Sequence, residues 1–157
     1  MAGSASESEL RVILTDPAID LPCTRSRGAL MTEILVVDDS RVMREMIVAC
    51  LRGTEGFSFT HAASGLEAIE RLSLKPFDLV VLDLNMPDIG GVEVVEFIRG
   101  QDTLRDLPIL IVTTRGDDAS RERVLAAGAS RFMTKPFTPD VILGEVTGLL
   151  SSPKAPG

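Results

Sequence analysis

The chain has 157 residues, 45% of them hydrophobic and 25% charged, enough for one well-cored soluble domain and too few for two. Its 16 Lys and Arg against 23 Asp and Glu leave a net charge of −7 at pH 7, which repels phosphate backbones and argues against direct nucleic-acid binding. Two distant cysteines, Cys23 and Cys50, and a single histidine, His61, rule out a disulfide framework and a thiolate zinc centre. No apolar run nears the roughly 18 residues of a membrane span, and the start lacks the form of a signal peptide, so a cytoplasmic, membrane-free protein is expected.

Residues 1–31 are small, polar and aperiodic, and are expected to form an unpacked leader; the patch Val12, Ile13, Leu14 is too short to make a stable element alone. Met31 stands just before the ordered pattern and offers a second start for the natural chain. From Glu33 onward, β-branched runs alternate with segments of helical period, the form of a βα repeat and so of a parallel sheet. Strands are predicted at Ile34 to Asp38, Phe57 to Ala62, Leu79 to Asp83, Ile109 to Thr113 and Arg131 to Thr134. Helices follow at about 40–52, 65–73, 91–99, 118–127 and 138–150. The runs ILVV, LVVL and ILIV are apolar throughout, as needed when helices cover both faces of a sheet.

Helix starts are marked by Ser40, by Ser64 with Glu67 as a capping box, and by Thr138-Pro139. Stops are marked by Gly53 and Gly128. Gly144 and Gly148 lie inside the last helix, each costing about 1 kcal/mol relative to Ala, so that helix either frays or admits close approach by a partner, a weakly dimerising second copy included. Residues 151–157 read as a disordered tail.

In an open α/β sheet, ligands bind beyond the carboxyl ends of the strands. The first strand closes with Asp38-Asp39 and the third with Asp83; if those strands are neighbours, their ends lie about 5 Å apart. Converging carboxylates raise one another's proton affinity, and a bound divalent cation relieves the cost. Oxygen-only ligation without Cys or His suits Mg2+. Each acid taken singly is also a plausible helix cap, Asp39 or Ser40 in particular. Thr113 and Lys135, at the ends of the fourth and fifth strands, add a hydroxyl and an ammonium, the donor and counter-charge that a phosphoryl group requires. An Asp so placed can act as a nucleophile towards phosphorus.

With those residues in view, the segments ILVVDDS, LVVLDLNMPDIGG, PILIVTT and FMTKPF closely resemble the response-regulator receiver family in order and spacing, over residues 32–150. The resemblance implies a flavodoxin-like, doubly wound α/β fold of five parallel strands in the order 2-1-3-4-5 with five helices. It implies that Asp83 accepts a phosphoryl group from a histidine kinase or histidine phosphotransfer protein. The metal set would be Asp38, Asp39, Asp83 and Asn85, with Asp39 a direct Mg2+ ligand, Asp38 acting largely through water and Asn85 giving its backbone carbonyl. Lys135 would pair with the phosphoryl oxygens, and its bond to Pro136 is expected to be cis. Thr113 would turn to the phosphoryl group and let Phe132, often Tyr in the family, swing inward. Thr114, often Ala in the family, would narrow access.

A downstream protein would then read the surface of the fourth helix, fifth strand and fifth helix, where Ser120 to Arg123 and Arg131 lie, although Arg121, Glu122 and Arg123 also suit a merely solvated face. With seven residues after Leu150, a stand-alone regulator is expected, acting by protein binding or phosphorelay rather than as an enzyme. Two rival readings are a phosphorylation-independent scaffold and a haloacid-dehalogenase-type phosphatase. The second lacks its general acid, because Asn85 stands two residues after Asp83.

Overall fold

Apolar residues at successive positions of a strand point to opposite faces, so a run such as ILVV is stable only between two layers of helix. The computed structural model describes residues 31–114 and 116–151 and realises that arrangement. The expectations for residues 1–30, the Val12 to Leu14 patch included, and for residues 152–157 lie outside the described residues. Five strands, β1 (Thr32–Val37), β2 (Phe57–Ala62), β3 (Leu79–Leu82), β4 (Ile109–Thr113) and β5 (Arg131–Thr134), form one sheet in the order β2-β1-β3-β4-β5. The pairs β1–β3, β3–β4 and β4–β5 are parallel. Helices α1 (Arg41–Leu51), α2 (Gly65–Leu74), α3 (Gly91–Gly100) and α4 (Asp118–Ala127) make the crossovers, and α5 (Pro139–Ser151) follows the last strand.

Alternation along the central strands divides the core in two. Leu35, Val37, Val80, Leu82, Ile109 and Ile111 face a cluster completed by α2, α3 and α4. Ile34, Val36, Leu79, Val81, Leu110 and Val112 face the cluster built by Ile47, Val48 and Leu51 of α1 and Ile142, Val146 and Leu149 of α5. Fully burying one such side chain contributes about 1.5–3 kcal/mol, and a register slip would leave the strand ends out of step. The register is Val37 against Leu82 and Leu82 against Ile111. No helix among the described residues is long and apolar enough to cross a membrane.

The predicted caps are present. The Ser40 Oγ accepts from the Met43 N–H at 3.2 Å, the Ser64 Oγ from Glu67 at 3.0 Å, and the Thr138 Oγ1 from Val141 at 3.3 Å. The Glu67 carboxylate reaches back to the Ala63 N–H at 2.8 Å, one residue upstream of the cap itself. Gly128, at φ 122°, closes α4, whereas α1 ends on Arg52 and the positive φ of the following turn falls on Gly56 rather than Gly53. The last helix runs unbroken to Ser151. Gly148 leaves room for the Arg131 guanidinium, which crosses it on the way to Glu145 at 2.8 Å, so the close approach there is made by this chain's own β5.

The glycines separate packing from helix propensity. A Cβ at Gly91 would lie 2.6 Å from the Asp83 carbonyl oxygen and 2.8 Å from the Leu84 Cα, both backbone, whereas one at Gly144 would meet nothing within 4 Å. Gly91→Ala is therefore expected to lower unfolding free energy by about 1–3 kcal/mol through overpacking, and Gly144→Ala to raise it by about 0.5–1 kcal/mol. Urea unfolding of the two variants measures both signs.

Candidate functional site

Parallel register carries the strand ends to one edge of the sheet. The first and third strands stop one residue earlier than their sequence suggests, at Val37 and Leu82, because the chain turns there towards α1 and the loop before α3. The Asp83 N–H still donates to the Val37 carbonyl at 3.0 Å, and the Asp38 N–H to Ala62 at 3.1 Å. Asp38 and Asp83 are thereby neighbours just beyond the sheet, 2% and 5% exposed, while Asp39 projects into solvent. One carboxylate oxygen from each of the three lies within 4.8 Å of the others.

The neighbouring groups answer that negative charge. Lys135 Nζ lies 2.7 Å from Asp38 Oδ2 and 3.6 Å from Asp83 Oδ1, with its side chain only 10% exposed. The Lys135–Pro136 peptide is cis, and the Lys135 N–H donates to the Thr113 carbonyl at 2.8 Å. Thr113 is fully buried at the end of β4, its hydroxyl set beside the Asp83 carboxylate so that it favours the charged form. Burial pushes the Asp83 carboxyl above the usual range; Lys135 opposes the rise, Asp38 adds to it, the Thr113 hydroxyl opposes it, and Asp39 adds to it.

Asp38 also shapes the turn into α1: its Oδ1 accepts from the Ser40 N–H at 2.9 Å. Of the caps suggested there, Ser40 is the one that caps α1, and neither Asp38 nor Asp39 does; the turn coexists with the ion pair because the two Asp38 oxygens serve different donors. The donor set fits a hard divalent cation: oxygens only, no Cys or His, and net negative charge, with one oxygen of each acid close to the others. Cation coordination would also offset the like-charge repulsion felt by Asp83.

The remaining predicted residues lie around this centre. Asn85 is exposed and lines a cleft of about 190 Å³ with Glu93, Ser120 and Arg123. Thr114 is exposed just past β4, and among the described residues no hydrogen bond ties it to the acids. Phe132 is half-buried against the core, with the Arg121 guanidinium over its ring at 5.8 Å. Arg121 therefore does more than solvate a helix face.

Two contributors escape the sequence reading. Arg44 Nη1 donates to the Asp38 carbonyl at 2.6 Å and its Nε donates to His61 Nδ1 at 3.2 Å. Asp88 accepts from the N–H groups of Gly65 at 3.2 Å and Leu66 at 3.0 Å, tying the loop after Asp83 to the start of α2. Each joins segments far apart in sequence, so spacing carries no signal for them; the one local hint, an Asp ahead of Gly90-Gly91, reads equally as an ordinary turn.

Comparison with known proteins agrees with this geometry. Residues 34–147 match the family model described as the response regulator receiver domain. A chemotaxis protein CheY homolog of Campylobacter jejuni is 36% identical over 127 residues, covering 80% of this chain and 97% of that protein. The response regulator MprA of Mycobacterium tuberculosis is 38% identical over 125 residues, 80% of this chain and 53% of its own length. Among solved structures, the chemotaxis response regulator CheY4 of Vibrio cholerae superposes with a TM-score of 0.71 at 33% identity, covering 76% of this chain and 98% of that one.

The two kinds of ion pair in the chain should respond differently to truncation. Lys135→Met strands a buried carboxylate and is expected to cost about 3 kcal/mol of unfolding free energy. Glu45→Ala breaks the exposed pair with Arg41, 2.9 Å apart, and is expected to cost less than about 0.5 kcal/mol. Chemical denaturation of both variants in metal-free buffer compares them directly.

Proposed function

The chain belongs to the response-regulator receiver family of two-component signalling, and from that premise we propose that residues 32–150 form a phosphoacceptor switch with Asp83 as the acceptor. The observation that carries the reading is the convergence of three carboxylates, the Lys135 ammonium and the Thr113 hydroxyl at one sheet edge. Asp38, Asp39, Asp83 and the backbone carbonyl of Asn85 would hold one Mg2+. Bound there, the ion supplies the charge neutralisation that lets an anionic phosphoryl group approach an anionic nucleophile.

A carboxylate oxygen of Asp83 attacks phosphorus in line; the P–N bond to the donor imidazole breaks as the new P–O bond forms, and the imidazole leaves. The donor is a histidine kinase or a histidine phosphotransfer protein. Lys135, already 3.6 Å from Asp83, pairs with the phosphoryl oxygens, because an ammonium on a flexible stem can follow the new charge. The Thr113 hydroxyl turns from the carboxylate to a phosphoryl oxygen. Phe132 moves into the space this vacates and gives up its stacking on Arg121. The chain's chemistry ends with its own phosphotransfer and hydrolysis, in which the Asn85 side chain and Thr114 border the path of attacking water.

What leaves the molecule is then a change in shape. A downstream protein reads α4, β5 and α5, where Arg121, Arg131 and Glu145 lie. Incubation of the full chain with a small phosphodonor and Mg2+ is expected to add one phosphoryl group by mass. Asp83→Asn is expected to abolish the gain, and chelation of the metal to suppress it. A gain that survives Asp83→Asn would move the acceptor elsewhere, and no gain in the unsubstituted chain would leave a phosphorylation-independent scaffold.

A further inference from the structure

The two adjacent acids are held in different ways. Every polar group of Asp38 is engaged: the N–H by Ala62, Oδ1 by the Ser40 N–H, Oδ2 by Lys135, and the carbonyl by Arg44 Nη1 at 2.6 Å. Asp39 is exposed, and its carboxylate accepts no hydrogen bond among the described residues. Its position is set by the peptide from which it hangs, and the oxygen of that peptide is the one Arg44 holds. Arg44 makes no salt bridge among the described residues. Its guanidinium is spent on the Asp38 carbonyl and, through Nε, on His61 Nδ1 at 3.2 Å. Two fixed acceptors in the plane of one rigid fork define its orientation.

We propose that Arg44 is a positioning residue for the acid pair, setting Asp39 through the Asp38 carbonyl, and that neutral His61 is the group that holds Arg44 in place. The proposal deepens the phosphoacceptor reading and rests on it. An imidazole nitrogen accepts a hydrogen bond only when unprotonated, so the contact with Arg44 requires neutral His61 with its proton on Nε2. The surroundings favour that form: burial and the Arg44 charge hold the His61 pKa below its ordinary 6.5, Glu45 opposes, and Arg41 adds to the effect. All three charged neighbours belong to α1, while α2, which also packs on β2, places Glu67 within range of the Arg44 charge. Protonation removes the acceptor and sets two cations side by side, which frees the guanidinium. The clamp therefore operates above the His61 pKa and is lost as pH falls through it.

Charge and positioning make opposite predictions for Arg44. If its charge governed, removing a cation from beside the acids would strengthen cation binding; if positioning governs, removal weakens it. The test is titration of the full chain with MgCl2, followed by calorimetry and by the backbone amide shifts of Asp39 and Ser40. Arg44→Met is expected to weaken Mg2+ binding about tenfold at neutral pH, the scale found for residues that orient metal ligands. In the unsubstituted chain, affinity is expected to fall as pH drops through the His61 titration. His61→Gln, whose amide oxygen can accept the same bond, is expected to retain affinity at neutral pH and to lose that step. The single imidazole should appear by nitrogen NMR as the Nε2–H tautomer.

Equal or tighter Mg2+ binding by Arg44→Met, with saturable binding by the unsubstituted chain, overturns the positioning role and leaves the phosphoacceptor reading standing. A His61 step that persists in Arg44→Met shows the imidazolium acting by charge alone and overturns the clamp. Absence of saturable binding in the unsubstituted chain overturns both. Should Arg44→Met fail to fold, His61→Leu, which offers the Arg44 Nε no acceptor, takes its place: weaker Mg2+ binding at neutral pH supports the clamp, and unchanged binding there overturns it.

Discussion

Three carboxylates share one end of a parallel sheet where two of them have lost most of their water, and the ammonium of Lys135 is the charge that makes this tolerable. Its contact with Asp38 at 2.7 Å lies at 10% and 2% side-chain exposure, where screening by solvent is weak and an unpaired ion costs several kcal/mol. Asp83 remains under-compensated: Lys135 is 3.6 Å away, and burial still dominates its proton affinity. A site with one acid satisfied and its neighbour left wanting positive charge suits the proposed sequence of a cation and then a phosphoryl anion.

The fold supplies this site through direction alone. Each of the first four strands is followed by a crossover helix that returns the chain to the same starting edge, so all five strands end on one side. The central strands β1, β3 and β4 are buried on both faces, which leaves their ends as the first positions where polar side chains can stand at the mouth of the crevice. Asp38, Asp83 and Thr113 occupy those positions. Gly91 completes the arrangement from the other side, its missing side chain letting α3 begin against the carbonyl of Asp83.

Rigidity is distributed unevenly around the centre. Asp38 is tied at every polar group, and the loop after Asp83 is tied to α2 by Asp88. Thr113, Lys135 and Phe132, by contrast, each hold a contact that the proposed switch would exchange: a hydroxyl beside the Asp83 carboxylate, a longer ion pair, a stacked guanidinium. A switch of small free-energy difference needs both a fixed frame and exchangeable contacts, since only the latter let modification at one atom bias the surface at α4 and β5.

Much of this was legible before any coordinates. Runs such as LVVL and ILIV, periodic segments between them and caps such as Ser40 and Ser64 determine the alternation of strands and helices, because they depend on neighbours a few residues away. The acids, Thr113 and Lys135 were legible for the same reason: each directly follows or closes an apolar run. The partners of those residues were not. That Asp38 takes Lys135 while Asp83 keeps the longer contact, that Arg131 lies across Gly148, that Arg121 covers Phe132, and that Arg44 joins the Asp38 carbonyl to His61 were decided by tertiary packing. Secondary structure is written in short-range periodicity, whereas the choice among several long side chains for one buried acceptor depends on the relative placement of helices and strands. That placement exists only once both layers have closed over the sheet.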